Sequence, residues 1–174
     1  MSVKNRSRDF LFQVRSPPED IRYLEEVISA GAGGFSINIE VWNEEKRREI
    51  CPGKSKITKE KYLAAWGRAT ELLGKFRTSS VLVVGLDAPA SIREGIKTLV
   101  EIGVKPVLIP FRPFEKCALS GMPPPEPSVL AELSAFAGNE LRKAGAKERQ
   151  FVGCERCGAC TVEKDCMQSV VEAI

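Results

Sequence analysis

The chain has 174 residues, of which 43% are hydrophobic and 28% charged, and its 26 basic and 23 acidic side chains leave a net charge of +3. This composition indicates one globular domain, the small charge excess gives no reason to expect nucleic acid, and no apolar run approaches the ~20 residues of a membrane span. The sequence contains no His, which excludes Ser-His-Asp triads, Cys-His dyads and His-ligated metal sites.

Four short apolar runs, rich in β-branched and aromatic residues, are predicted to form strands that are buried on both faces. The runs are Phe10–Val14, Phe35–Trp42, Val81–Leu86 and Pro106–Phe111.

A helical pattern follows each run. Ser16-Pro17-Pro18-Glu19 has the features of a capping box, and the same style of start recurs at Ser91–Glu94. The predicted helices extend from Ser16 to Gly31, from about Thr58 to Leu73, from Ser91 to Gly103, and through Leu130 to Leu141.

The alternation of strand and helix predicts a parallel α/β sheet of four βα units over residues 1–146. Residues 147–174 break the alternation. They are interpreted as a short Cys-rich C-terminal extension that binds a metal.

The extension contains Cys154-x2-Cys157-x2-Cys160-x5-Cys166. The N-terminus has no signal-peptide core, so a reducing, cytoplasmic location is expected, and clustered thiols are then metal ligands rather than disulfides. The close spacing favours a [4Fe–4S] iron-sulfur cluster. A zinc site and metal-free thiols are the alternatives. The other two cysteines, Cys51 and Cys117, are interpreted as core residues.

Polar residues and glycines follow three of the strands. Asn38 and Glu40 end the second run, Gly85 and Asp87 end the third, and Arg112 follows the fourth. Ligands of parallel α/β sheets bind at the carboxyl ends of the strands, so these residues are candidate binding residues. The alternatives are polar strand-end residues that cap the next helix or pair with Lys or Arg, a tight turn at Gly85 and a surface arginine.

Taken together, the strand ends resemble the radical S-adenosylmethionine (SAM) superfamily, in particular its biotin-synthase-like members, over about residues 9–145. The segments that carry the resemblance are Val14-Arg15-Ser16-Pro17-Pro18, Asn38-Ile39-Glu40-Val41, Ile50-Cys51-Pro52-Gly53-Lys54, Val83-Val84-Gly85-Leu86-Asp87 and Ile109-Pro110-Phe111-Arg112-Pro113.

The resemblance implies a partial TIM-like barrel in which the four runs are the third to sixth of six strands. It places Asn38 and Glu40 at the SAM ribose and amino group, and Gly85 and Asp87 near the adenosine. Arg112 would face the cavity and contact the substrate. Asp87 stands where the family more usually has Glu.

The sequence lacks the family's C-x3-C-x2-C loop and the first two strands, so the chain resembles the carboxyl-terminal part of the barrel. We expect a subunit that contributes a SAM and substrate cavity and does not cleave SAM alone. The missing strands and the SAM cluster would come from a partner chain, or two copies would associate as a homo-oligomer. A third possibility is an open sheet that folds alone, with the extension covering one edge. The alternative function is a non-enzymatic iron-sulfur or zinc-binding module, for electron transfer or as a scaffold, on a degenerate barrel.

Overall fold

The computed structural model describes residues 10–14 and 16–168. Arg15, in the first segment that carries the family resemblance, lies outside the described residues. So do residues 1–9 of the predicted βα region and residues 169–174 of the predicted C-terminal extension. The elements in chain order are β1 (Leu11–Val14), α1 (Tyr23–Ser29), β2 (Gly34–Ile37), α2 (Glu44–Ile50), α3 (Lys59–Leu73), β3 (Thr78–Val84), α4 (Pro89–Ile102), β4 (Val104–Pro110), α5 (Pro127–Lys143), α6 (Cys154–Cys157) and α7 (Glu163–Gln168).

The strands form one all-parallel sheet in the order β1-β2-β3-β4. This sequential order is what successive right-handed βα units produce, and it confirms the predicted (βα)4 architecture. The β3–β4 ladder is the longest and pairs Thr78 with Val104 through to Val84 with Pro110.

The second strand is shorter than predicted. It ends at Ile37 rather than Trp42, because Glu40 adopts a left-handed backbone conformation with φ of 67°. Beyond Ile37 the backbone pairing with β3 is reduced to an isolated β-bridge between Glu40 and Leu82.

One face of the sheet forms the core with the helices. Side chains alternate along a strand, so every second residue faces the helix layer. Phe35, Ile37, Leu82, Val84 and Leu108 are buried in this layer, against residues such as Trp66, Ile96 and Leu133. The opposite face, here called the inner face, carries Gln13, Ser36, Ser79, Val81, Lys105 and Val107.

Two predicted helix starts are wrong. The first helix begins at Tyr23 and not in the Ser16 capping box. Because a residue that precedes proline disfavours the helical conformation, Pro18 prevents Pro17 from starting a helix. The third predicted helix corresponds to α4, which begins at Pro89, two residues before Ser91, with proline in its first turn. The predicted ends at Gly103 and Leu73 are confirmed.

The cysteine tail, defined as residues 147–168, contains a 3-10 turn (Glu148–Gln150) followed by α6 and α7. Phe151 and Met167 join the same hydrophobic core as the sheet and helices. The tail therefore packs on the βα units, and the domain division at residue 147 stays a prediction.

The tail also meets one edge of the sheet. The backbone N–H of Leu108 in β4 donates to Glu163 Oε1 at 2.6 Å, while α7 packs against α5. At the other edge, β1 pairs only with β2 among the described residues. Over residues 10–14 and 16–168 we find no helix with the length and apolar character that crossing a membrane requires.

Candidate functional site

Asn38 lies just beyond β2, where this strand separates from β3. Its side chain is buried, and its Oδ1 accepts hydrogen bonds from Ser36 Oγ at 2.9 Å and from the Val81 N–H at 3.1 Å. Asn38 therefore replaces ladder hydrogen bonds that the diverging strands no longer make. The carbonyl oxygen of this amide is engaged within the protein.

Glu40 lies two residues farther on and is partly exposed. Its carboxylate contacts Lys54 Nζ at 2.7 Å, and the same ammonium donates to the Asn38 backbone carbonyl at 2.9 Å. Lys54 begins a 3-10 turn, Lys54–Lys56, that directly follows Cys51-Pro52-Gly53. The structure thus brings Asn38 and Glu40 together, and Lys54 neutralises the carboxylate.

Burial, together with the nearby Glu40 carboxylate, raises the pKa of the half-buried Cys51 thiol. This agrees with the interpretation of Cys51 as a packing residue, since a thiol with a raised pKa is a poor nucleophile. Cys117, by contrast, is exposed, so its prediction as a core residue is wrong.

Gly85 and Asp87 follow β3. Gly85 has φ of 102°, and a Cβ there would lie 3.1 Å from Pro125 Cδ, so glycine is needed. The Asp87 carboxylate accepts from the N–H groups of Asn43 and Ala88 and from Ser91 Oγ, at 2.8, 2.9 and 2.9 Å. Asp87 therefore ties the start of α4 to the residue that caps α2.

Arg112 lies beyond the end of β4 and is exposed. Its guanidinium does not line the cleft described next. Its substrate contact stays a prediction.

A cleft of about 500 Å³ lies between the inner face of the sheet and the cysteine tail. The strands and the residues next to them contribute polar and apolar residues to this cleft, namely Phe10, Leu11, Gln13, Ser36, Asn38, Val81, Val107 and Ile109. The tail contributes residues 153–155 and 157–161. Of the strand-end candidates, only Asn38 lines it.

Sequence reasoning missed the residues that hold the tail on the inner face. Lys105 is buried, and its Nζ lies 3.2 Å from Glu155 Oε2 and 4.8 Å from the centre of the Phe151 ring. Ser79 Oγ donates to the other Glu155 oxygen at 3.0 Å. The signal was available: Lys105 and Ser79 are polar residues within or beside apolar runs, which indicates a face that meets a polar partner.

Three of the four clustered cysteines face the cleft. Cys154, Cys157 and Cys160 line it and are exposed. Cys166 is elsewhere, on α7, where the ideal Cβ position of Gly138 in α5 lies only 2.7 Å from Cys166 Cβ. Burial raises the pKa of the Cys166 thiol.

The donor chemistry of the tail suits iron or zinc, because clustered thiolates prefer both. The arrangement does not fit as it stands: within residues 10–14 and 16–168, no group of three or more Cys, Asp or Glu side chains is placed to hold a metal ion. The predicted four-cysteine metal centre is therefore not preassembled, and it stays a prediction.

No family model matches the chain. Bacteriochlorophyllide c C-7(1)-hydroxylase of Chlorobaculum limnaeum is 29% identical to it over 120 residues, which make up 68% of this chain. This similarity indicates a distant relation between the two proteins. The chain spans about 30% of the length of this relative.

Proposed function

We propose that the chain is a radical-SAM-related partial barrel that contributes one wall of a SAM and substrate cavity and is not competent to cleave SAM alone. The observation that carries this proposal is the carboxyl end of β2 and β3. There Asn38, Glu40 and Gly85 lie just beyond the ends of these neighbouring strands, and the Glu40 backbone exchanges hydrogen bonds with Val81 and Val83 at 2.9 and 2.8 Å. The carboxyl end of a parallel sheet is where such folds bind ligands.

In this proposal Asn38, Glu40, Gly85 and Asp87 form the SAM-binding edge and Arg112 contacts the substrate. The Glu40 carboxylate is the group suited to an ammonium, since it already holds that of Lys54. A ligand amine would have to replace Lys54 there. Asp87 has its oxygens engaged by backbone and hydroxyl donors, so its role is to shape the edge.

The cluster that reduces SAM would come from a partner chain, which also supplies the missing strands; a homo-oligomer is the other way to complete the assembly. A cytoplasmic location belongs to the same proposal, because thiols such as Cys154 and Cys157 remain reduced there.

Calorimetric titration of the anaerobically purified chain with SAM tests the cavity. We expect binding that Glu40→Gln weakens at least tenfold, because a neutral amide loses the ion pair with the ligand ammonium. Glu49→Gln is the matched control: Glu49 is an exposed carboxylate on α2 that pairs with Lys46. Equal binding by wild type and Glu40→Gln would contradict the assignment of Glu40.

A second assay tests competence. The chain alone, incubated anaerobically with SAM and dithionite, is expected to form no 5′-deoxyadenosine. Its formation by the purified chain would overturn the proposed dependence on a partner.

The alternative, a non-enzymatic iron-sulfur or zinc-binding module on a degenerate barrel, is favoured by one observation. The tail covers part of the inner face through the buried Lys105–Glu155 pair, on the side where a barrel enzyme would hold its substrate. Metal binding by the chain without SAM binding would support this alternative.

A further inference from the structure

Two of the exposed cysteines lie in one helical turn. α6 begins at Cys154 and ends at Cys157, and the Cys157 N–H donates to the Gly153 carbonyl at 3.3 Å. The Gly158 N–H donates to the Cys154 carbonyl at 3.2 Å and closes the turn. Residues three apart in a helix have Cα atoms about 5 Å apart, and a disulfide spans about 4.4–6.8 Å between Cα atoms. Side-chain rotation with a small adjustment at the flanking glycines therefore suffices to join the two sulfur atoms.

The two residues between these cysteines hold the turn on the inner face. The Glu155 carboxylate lies 3.2 Å from the Nζ of the buried Lys105 and accepts from Ser79 Oγ at 3.0 Å. Arg156 Nε donates to the Phe151 carbonyl at 3.1 Å. The backbone of the turn is thus ordered before any disulfide forms, so closing the ring loses less conformational entropy than it would in a mobile loop.

The next pair of cysteines has the same spacing without this support. Cys157 and Cys160 are also separated by two residues, but the pair extends beyond the end of α6. The intervening Gly158 and Ala159 have no polar side chain to fix that segment. Cys154, Cys157 and Cys160 all line the cleft and are exposed. The structure therefore distinguishes two C-x2-C pairs that are equivalent in sequence spacing.

We propose that Cys154 and Cys157 form a redox-active dithiol, which small disulfides of the glutathione type oxidise reversibly to an intramolecular disulfide. The C-x2-C spacing is that of dithiol oxidoreductases. A dithiol needs only two sulfur atoms, whereas among the described residues no group of three or more donors is placed for a metal ion. The inference goes beyond the proposed function and does not depend on SAM.

The reaction is a thiol–disulfide exchange in two steps. One protein thiolate attacks the small disulfide, so that a mixed disulfide forms and one small thiolate leaves. The second protein thiolate then attacks the protein sulfur of the mixed disulfide and releases the second small thiolate. The two protein thiols lose two electrons, the small disulfide gains them, and the two protons pass to the released thiolates. Excess small thiol reverses both steps.

Trypsin makes the test specific, because it cleaves after Arg156, between the two cysteines. Peptide 150–156 then contains Cys154, and peptide 157–164 contains Cys157 and Cys160. The full chain is equilibrated anaerobically with mixtures of reduced and oxidised glutathione, alkylated, digested and analysed by mass spectrometry. A Cys154–Cys157 disulfide joins the two peptides. A Cys157–Cys160 disulfide leaves them separate and removes two hydrogen atoms from the second.

Joined peptides are expected in the wild type and in Cys160→Ser, with equilibrium constants for the exchange that agree within about threefold. Cys154→Ser is the matched control, because it keeps a C-x2-C pair of the same spacing. Its equilibrium constant for an intramolecular disulfide is expected to be at least about tenfold lower, since closing the unsupported loop has to order its backbone. Cys117, a single exposed thiol outside the tail, should form only the mixed disulfide.

An equilibrium constant in Cys154→Ser equal to that of the wild type would overturn the assignment of the pair. Loss of the joined peptides in Cys160→Ser would overturn it in favour of a Cys154–Cys160 bond. Mixed disulfides without ring closure, or a stoichiometric metal ion that protects these thiols in the purified chain, would overturn the dithiol altogether. Calorimetry with SAM measures none of these, so failure of this inference and failure of the proposed function are distinguishable.

Discussion

At the scale of single residues, Lys105 matters most for the position of the tail. Lysine side chains are usually exposed to solvent, but Lys105 on the inner face is almost completely buried beneath the tail. Its ammonium contacts both a carboxylate oxygen and the backbone carbonyl of Glu155 at 3.2 Å. An intact buried ion pair adds only modestly to the free energy of unfolding. Removing one partner is costly, because the remaining charge is then buried with neither a partner nor water to solvate it.

Glu155→Ala is therefore expected to lower the free energy of unfolding by about 3 kcal/mol, because Lys105 is left buried and unpaired. The measurement is urea denaturation followed by circular dichroism. Glu148→Ala removes the carboxylate that pairs with Lys164 on the tail surface, and it should cost less than ~1 kcal/mol. Equal losses in the two variants would contradict a buried pair as the anchor.

Glu163 makes the stability of the tail depend on pH. Burial raises its pKa above the ordinary value of 4.5, although hydrogen bonds from Thr161 and the Leu108 N–H and the charge of Lys105 act in the opposite direction. The folded chain then holds this proton to a higher pH than the unfolded chain does. The stability that Glu163 contributes is therefore complete below about pH 4.5 and is lost as the pH rises through the raised pKa.

The Gln side chain in Glu163→Gln is uncharged at every pH, so this variant does not lose stability as the pH rises through the pKa of Glu163. We expect the unfolding free energy of the variant, relative to wild type, to increase as the pH rises above about 4.5. Urea denaturation of the metal-free chain at a series of pH values measures it. A difference that stays constant with pH would show that the proton of Glu163 is not linked to folding.

At the scale of elements, the contact between α5 and α7 depends on one glycine. Gly138 lies inside α5, and a Cβ there would stand 2.7–2.8 Å from atoms of Cys166 and Met167. Real Cβ atoms do not approach backbone so closely, so α7 would have to move. The close approach of these two helices therefore requires glycine at this position.

Gly138→Ala is expected to destabilise the chain by about 1–3 kcal/mol and to increase the alkylation rate of Cys166, since the displaced α7 exposes the thiol. Gly67→Ala is the matched control. Gly67 lies inside α3 with open space around its Cβ position, so alanine should stabilise the chain by about 0.5–1 kcal/mol. Alkylation at Cys166, measured by mass spectrometry, should be unchanged in this control.

The elements could be predicted to different extents. The β-branched runs and the glycine at residue 103 located the strands and one helix end, because these depend on local preferences. The early end of β2 could not be predicted, since it depends on the left-handed Glu40 and on Asn38 bonding across to Val81. The separation of Cys166 from the other clustered cysteines could not be predicted either, because it depends on the packing of α7 against α5, a helix from an earlier part of the chain.

At the scale of the whole molecule, the two edges of the sheet differ. The edge of β4 is covered where Glu163 accepts the Leu108 N–H. The N–H groups on the outer edge of β1 face no strand among the described residues. Exposed edges invite pairing with another strand, so we expect the missing strands of the assembly to add beside β1.

Leu11→Pro tests this expectation. The Phe10 carbonyl bonds to Gly33, so the adjacent Leu11 N–H is directed to the outer edge, and proline there removes a donor without breaking the β1–β2 ladder. We expect association of the chain with itself or with a partner to weaken at least tenfold in sedimentation equilibrium. Phe12→Pro should instead destabilise the chain itself. Unchanged association in Leu11→Pro would place the contact elsewhere.

The anchoring of the tail also has a consequence for synthesis. Ser79 and Lys105 receive their partner, Glu155, from 76 and 50 positions later in the chain. During translation all four strands are therefore synthesised before the group that neutralises the buried lysine. Contacts between such distant residues form slowly. The inner face accordingly stays open to water and to chaperones until the tail has been synthesised and Glu155 reaches Lys105.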